Sequence, residues 1–480
     1  MPRRYLLPAL AVACVVPLAF VSPCTARQGD GAAATPVPSP AVAPDPGKVE
    51  WLRSHAAPIT VAPTADPDDF KDLEPLKAAI GDSTMVLMGE LTHGDAEALA
   101  LKVRLVKYLH QRLNFDVLVW ESGLFDCEEM NEALAGAQPV ADVARMGVFG
   151  HWSQGVESFP IFEYARTTQG SGRRLRMSGF DIQNSGTAGW SMYPTFAAWL
   201  SDPLVITNEV KTYIEILLDG ARKIPQAADR NAEQRRIDMA LRTLAPSLAE
   251  SHQSHRAEIV AAVGDREFAY RQRCLDNAVA FAEMMAANDK YQQTQSGEDF
   301  RWAYNIREAA NAEVLLWLAR ERYPDRKIVV WCHNAHLFVG VTGLLNLAGA
   351  DLPANAKTDS RGRVLNVMDS TGRSVKQAMG EKAYVLGVMA HSGTWSWLGN
   401  PPIDYAQAEP GSMEELLHTT GMPSLFLDLR TVRSDPTHWL NQARPGRINQ
   451  QQPVSSQSVW PKAYDGVLYV DRMTPRHQRP

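Results

Sequence analysis

Met85-Val86-Leu87-Met88-Gly89-Glu90-Leu91-Thr92-His93-Gly94 opens on an apolar run of strand length and closes on a loop carrying a carboxylate and an imidazole. A run without polar alternation reads as a strand covered on both faces. Just downstream, Ala98, Leu101, Leu105 and Leu109, with Val106 and Leu113, recur at the spacing of a helix face. A second apolar run, Val117 to Trp120, follows. The stretch therefore reads as strand, helix, strand, the unit from which parallel sheets are built.

Similar runs continue at Leu175 to Met177, Ile328 to Trp331, Val385 to Met389, Leu425 to Leu427 and Val467 to Val470, and all are expected to be buried parallel strands. Between Tyr193 and about Tyr323 no run predicts a strand, whereas Ile214, Leu217 and Leu218, and later Phe281, Met284 and Met285, fall at helical spacing. The expected fold is α/β, a mostly parallel sheet flanked by helices with a large helical insertion at about 190–323. No internal repeat or second low-complexity segment divides the chain, so 49–475 is expected to form one domain.

The 480 residues are 45% apolar and 21% charged, which excludes collagen-like, coiled-coil and wholly disordered chains. Lys and Arg number 48 against 54 for Asp and Glu, a net charge of −6 that gives little drive toward nucleic acid or anionic lipid. Neither is an expected partner. At the amino terminus, Arg3 and Arg4 precede an apolar stretch from Tyr5 to Val21 that is short for a membrane span and broken by Pro8 and Pro17. Residues 1–26 read as a secretory signal cleaved after Ala26, with Cys24 and Ala26 at the small-residue positions. A lipid anchor on Cys24 is the alternative, weakened by Pro23. The mature protein is expected to be secreted or periplasmic, without stable membrane insertion after processing. Residues 27–48, rich in Pro and Ala, read as a tether. Cys127, Cys274 and Cys332 remain, too few and too odd in number for a disulfide framework.

In an open α/β sheet, ligands bind off the carboxyl ends of the strands. Four runs end on ionisable groups: Glu90 and His93 after the first, Glu121 after the second, Asp181 after Arg176-Met-Ser-Gly-Phe180, and Cys332-His333-Asn334-Ala335-His336 after Ile328 to Trp331. One such acid is often only a helix cap. Four converging on one edge point to a site, because crowded ionisable groups are costly unless they serve a function. His252 and His255 share the spacing of His333 and His336, but their neighbours Ser251, Gln253 and Arg256 predict a solvated face. The chain has no Gly-x-Ser-x-Gly elbow, His-Glu-x-x-His, paired Cys-x-x-Cys, phosphate loop or Gly-x-Gly-x-x-Gly. What remains is chemistry by histidine and carboxylate, in which an imidazole held by a glutamate activates water.

Gly89-Glu90-Leu91-Thr92-His93-Gly94, Glu97 and Lys102, Val119-Trp120-Glu121-Ser122-Gly123, Gly179-Phe180-Asp181-Ile182-Gln183, Trp331-Cys332-His333-Asn334-Ala335-His336 and Tyr464-Asp465-Gly466 together resemble the erythromycin esterase family, in order and spacing, from about Leu73 to Asp471. The resemblance implies an α/β fold with helical insertions and a hydrolase that cleaves an ester without an acyl-enzyme. It makes His93 the general base, with Glu90 and Glu121 orienting it or the water, and His333 and His336 lining the cleft. Lys102, Asp181 and Asn334 are expected to meet substrate. The expected partner is a small-molecule ester or lactone, and no cofactor is expected. Two other readings stay open: a divalent metal held by His93, His333, His336 and a glutamate, and a non-catalytic module binding haem or another ligand. The chain departs from the family pattern at Arg307-Glu308, where Arg-Asp is usual, at Val314 in place of Asn, and at Cys332 in place of Ala. The natural substrate, macrolide or other, is left open.

Overall fold

The computed structural model describes residues 45–61, 66, 68–200, 230–340, 351–397, 399–450 and 456–479. The expected signal peptide and most of the tether lie outside the described residues, as do Ile214, Leu217 and Leu218. The first described helix, Pro46–His55, begins inside the stretch read as tether, because Asp45 caps it and Pro46 takes the first-turn position where no N–H is needed.

All seven apolar runs become strands, and two short strands, Ala57–Pro58 and Ile403–Asp404, join them. The strands are β1 (Ala57–Pro58), β2 (Met85–Met88), β3 (Phe115–Gly123), β4 (Arg176–Asp181), β5 (Lys327–Trp331), β6 (Ala383–Trp395), β7 (Ile403–Asp404), β8 (Ser424–Asp428) and β9 (Gly466–Met473). They form one sheet in the order β1-β8-β9-β6-β2-β5-β3-β4, with β7 paired to β6 alone. From β9 through β6, β2, β5 and β3 to β4 every pairing is parallel. The Leu425 to Leu427 run corrects the expectation of an all-parallel set, since β8 lies antiparallel to β9. An unbroken apolar run reports burial of both faces and carries no information about strand direction.

Successive side chains point to opposite faces. Met85, Leu87, Val117, Val119, Ile328 and Val330 join one core, with Val314 and Leu315 from helix Gly297–Trp317. Val86, Met88, Leu118, Trp120, Val329 and Trp331 join the other, under helix Ala96–Leu113. Each buried Val, Leu or Ile contributes roughly 1.5–3 kcal/mol. Helix Ala96–Leu113 ends at Asn114, whose φ of 62° turns the chain into β3.

Among the described residues, 230–323 contains helices and no strand: Arg230–Ser254, Arg256–Val263, Asp265–Thr294, Gly297–Trp317 and the short Leu318–Arg322. Gln295, at φ 51°, ends one long helix and Ser296 caps the next by accepting from Glu298 N at 3.2 Å, so the two fold back as a hairpin. Here a second expectation fails. His252 is 0% exposed, stacked on Phe268 at 4.5 Å with Nδ1 2.8 Å from Gln272 Oε1. Its polar sequence neighbours hid a face that packs on helix Asp265–Thr294. His255 stays partly exposed. Cys127, Cys274 and Cys332 are free and buried. No helix among the described residues is long and apolar enough to cross a membrane.

Candidate active site

Because β5 lies between β2 and β3, the carboxyl ends of these three strands are adjacent. Glu90 and His93 stand on the loop after β2. β3 runs beyond the expected Trp120, and its pairing with β4 shifts register between Trp120 and Gly123. Such a bulge re-aims a side chain, and Glu121 sits within it. Its Oε2 accepts from the His333 backbone N–H at 2.8 Å, which ties the end of β3 to the loop after β5.

His93 Nδ1 lies 2.6 Å from Glu90 Oε1. With the Nδ1 proton donated to that carboxylate, Nε2 keeps its lone pair, 4.0 Å from Glu121 Oε1. The His93 side chain is 13% exposed while Glu90 beneath it is 0% exposed, so solvent meets the imidazole and not its carboxylate. Glu90 is held from below by Lys102 Nζ at 2.8 Å and from the side by Trp152 Nε1, which donates to Oε1 at 3.2 Å. Burial alone would raise the Glu90 carboxyl, but the Lys102 ammonium and the His93 contact outweigh it and hold the group below the usual carboxylate range. Lys102 also donates to the Cys332 carbonyl at 3.1 Å and lies 4.5 Å from the Trp331 ring centroid.

A second imidazole is placed differently. His336 Nε2 is 3.0 Å from Glu121 Oε1 and Nδ1 is 2.5 Å from Glu308 Oε1. Burial disfavours the imidazolium, yet Glu121 and then Glu308 overcome that penalty and raise the His336 pKa to about 10. Glu121 is in turn pushed well below its usual range, where burial is outweighed by His336, His93 and Arg307. The far end of the relay is anchored by Thr371, whose N and Oγ1 both donate to Glu308 Oε2 at 2.9 Å. Arg307 binds Asp181 through two nitrogens, with Nε 3.1 Å from Oδ1, and its Nη2 stands 3.5 Å from Glu121.

His333 carries no charge. Its Nε2 lies 2.8 Å from the Leu91 carbonyl and its Nδ1 accepts from Ala335 N at 3.0 Å, which fixes the Nε2–H form. Burial, with the nearby His93, drops its pKa to about 3. Asn334 acts as a piece of backbone: Nδ2 donates to the Val388 carbonyl at 2.7 Å and Oδ1 accepts from Val388 N at 3.1 Å, joining the β5 loop to β6.

The structure thus brings His93, Glu90, Glu121, His333 and His336 together. Lys102, Asp181 and Asn334, expected to meet substrate, are 0%, 1% and 0% exposed and are each taken up by protein partners. Lys102 is buried as the counter-ion of Glu90. Several residues at the site went unread. Glu308 and Arg307 had a signal, since a charged pair between Ile306 and Ala312 on a buried helix face needs partners. Thr371 and Trp152 had none. His151 stacks on His93 with ring centroids 4.5 Å apart, and Trp397 closes the rim at 5.7 Å from His93. Burial and the neighbouring His93 keep the His151 ring neutral, well below its usual pKa, and its Nε2 has no hydrogen-bond partner among the described residues.

A sequence model described as Erythromycin esterase matches residues 110–473. The chain is 25% identical over 455 residues to "Putative hydrolase YbfO" of Bacillus subtilis (strain 168), covering 88% of this chain and 91% of that one. It is 21% identical over 462 residues to the erythromycin esterase type II of Escherichia coli, covering 88% and 97%. A crystal structure of a Bacillus cereus protein shares the fold with a TM-score of 0.66 at 19% identity, covering 90% of this chain and 99% of its own.

Proposed function

The chain belongs to the erythromycin esterase family, and on that premise we propose that it cleaves a carboxylic ester or lactone by attack of a water molecule activated at His93. The observation that carries this reading is the Glu90–His93–Glu121 arrangement. One imidazole nitrogen is fixed by a buried carboxylate, and the other keeps its lone pair 4.0 Å from Glu121 on a side chain that solvent reaches. In the reaction, Nε2 takes a proton from water as the water oxygen bonds to the acyl carbon, and the carbonyl electron pair moves onto oxygen. The imidazolium formed at His93 lies between Glu90 and Glu121, where its charge is stabilised. Collapse of the tetrahedral intermediate breaks the bond to the alcohol oxygen, which receives the proton from Nε2. The acid product ionises, and no bond to the protein forms.

The remaining groups act around this step. Protonated His336 supplies positive charge next to Glu121 and toward the developing oxyanion. Lys102, buried behind Glu90, works through that carboxylate and orients His93. His333 and Asn334 are positioning residues that lock the β5 loop against β2 and β6. A divalent ion shared by the three histidines would take one ring nitrogen from each, and so would have to displace one of the two backbone contacts at His333 and one of the two carboxylates at His336. This supports a metal-independent reaction.

The test is a panel of aryl esters, lactones and macrolides assayed with the purified chain, with and without chelator. Turnover of at least one ester or lactone, unchanged by chelation, is expected. Turnover abolished by chelation and restored by a stoichiometric ion would contradict the reading.

A further inference from the structure

Away from the His93 cluster, β6 and β9 run side by side in parallel, with Ala390 paired to Val470 and Ser392 to Arg472. This register makes His391 and Asp471 cross-strand neighbours. Helix Met413–His418 packs against both strands and ends at His418 beside them. Three elements distant in sequence therefore deliver two imidazoles and a carboxylate to one point, with a ligand atom from each within 4.8 Å of the others. Among the described residues this is the one such trio of His, Cys, Asp or Glu groups.

The atoms needed for coordination are available. The His391 ring makes no hydrogen bond among the described residues; its one ring contact is His418, stacked at 3.9 Å between centroids. Asp471 Oδ1 accepts from Tyr469 Oη at 2.6 Å and lies 2.5 Å from His418 Nδ1, whereas Oδ2 has no partner among the described residues. The Asp471 main chain is pinned as well, with its N–H donating to the Pro423 carbonyl at 2.9 Å and its carbonyl accepting from Ser392 Oγ at 3.3 Å. His418, by contrast, has a side chain 48% exposed, free to turn out of the stack so that its lone pair converges with those of its neighbours. A carboxylate with a pinned backbone, one imidazole already beside it and a second with no hydrogen bond among the described residues make a site that can close on an ion.

We propose that His391, His418 and Asp471 bind one divalent ion of the zinc class (Zn2+, Co2+, Ni2+ or Cu2+) where β6, β9 and helix Met413–His418 meet, with none of the residues of the His93 cluster among its ligands. Two imidazoles and a carboxylate suit such borderline cations, and Mg2+ or Ca2+ prefer sites built from oxygen alone. Tyr469 is the outer partner that orients the carboxylate. Three protein ligands leave further positions to water. The ion clips the last strand to the helix before β8, so it stabilises the fold and takes no part in ester cleavage.

The experiment uses the full chain stripped of metal and titrated with Co2+, followed by visible absorption and equilibrium dialysis. Saturable binding of one ion per chain is expected. His391→Ala and His418→Ala should each weaken it by about tenfold or more, and His93→Ala should leave it intact. Zn2+ should raise the melting temperature of the wild-type chain, and Mg2+ at the same concentration should not. Absence of saturable binding, binding unchanged in both histidine variants, or binding lost in His93→Ala would each overturn the proposal. None of these readouts depends on turnover, so the site stands or falls separately from the esterase reading.

Discussion

His333 and His336 share a loop and nearly equal burial, yet their surroundings drive them to opposite protonation states. His333 faces a carbonyl and a backbone N–H and stays neutral, with a pKa of about 3, while His336 lies between two carboxylates and stays charged up to about 10. The consequences for stability have opposite signs. Below an unfolded pKa of about 6.5, the unfolded chain takes up a proton at His333 that the folded chain refuses. That costs stability as pH falls from there toward 3. At His336 the folded chain keeps a proton that the unfolded chain releases, so the contribution is full below about 6.5 and is lost as pH rises toward 10. Glu90 and Glu121, held below their usual range, add to the loss on the acid side. Thermal melts of the wild type and His336→Gln should therefore diverge on the alkaline side, where the variant loses less stability as pH rises from about 6.5 toward about 10, while the acid limb stays in place. Alkaline limbs that coincide in the two proteins would contradict the assigned charge of His336.

At the scale of elements, the site depends on close approaches that only glycine permits. A Cβ on Gly89 would overlap Asn334 Oδ1, and one on Gly94 would overlap the Ser396 carbonyl. These glycines let the β2 loop sit against the β5 and β6 connections, and so place Glu90 and His93 beside Glu121. The strand ends that carry the clustered ionisable groups were legible, because apolar runs followed by ionisable residues mark a buried strand and its carboxyl end. The contribution of helix Gly297–Trp317 was not, because no local pattern says that Arg307 reaches Asp181 and Glu308 reaches His336 across the sheet edge. The direction of β8 was equally hidden. Glu308 touches His336 and Thr371, so in the proposed reaction it would act through the imidazole. Glu308→Gln should lower kcat by about tenfold with little change in KM and weaken the alkaline stability limb, since the His336 proton is then less tightly held. A variant with wild-type kcat and an unchanged limb would show that Glu308 only fills space.

At the scale of the whole molecule, the sheet formed by the described residues is covered on one face by helix Ala96–Leu113 and on the other by helix Gly297–Trp317 and its neighbours, and the ionisable cluster lies where three strand ends meet. The α/β class and the His93, Glu90, Glu121, His333 and His336 cluster could be read from the order of motifs. What each group does could not. Lys102, Asp181 and Asn334 carry the polar chemistry of a binding site, and only the packing reveals that their bonds are already spent inside the protein. His252 errs the other way, a polar-looking residue that a helix hairpin buries. The account rests most heavily on His93 as the base. The most direct measurement is kcat/KM of His93→Ala on the protein's best ester substrate, paired with a circular dichroism melt. The His93 side chain is only 13% exposed and packs against His151, Trp152, His333 and Trp397, so truncation should lower the melt, and kcat/KM is compared at a temperature where the variant is folded. The expected result is a folded variant whose kcat/KM falls by about two orders of magnitude or more; a folded variant that keeps wild-type kcat/KM would contradict the account.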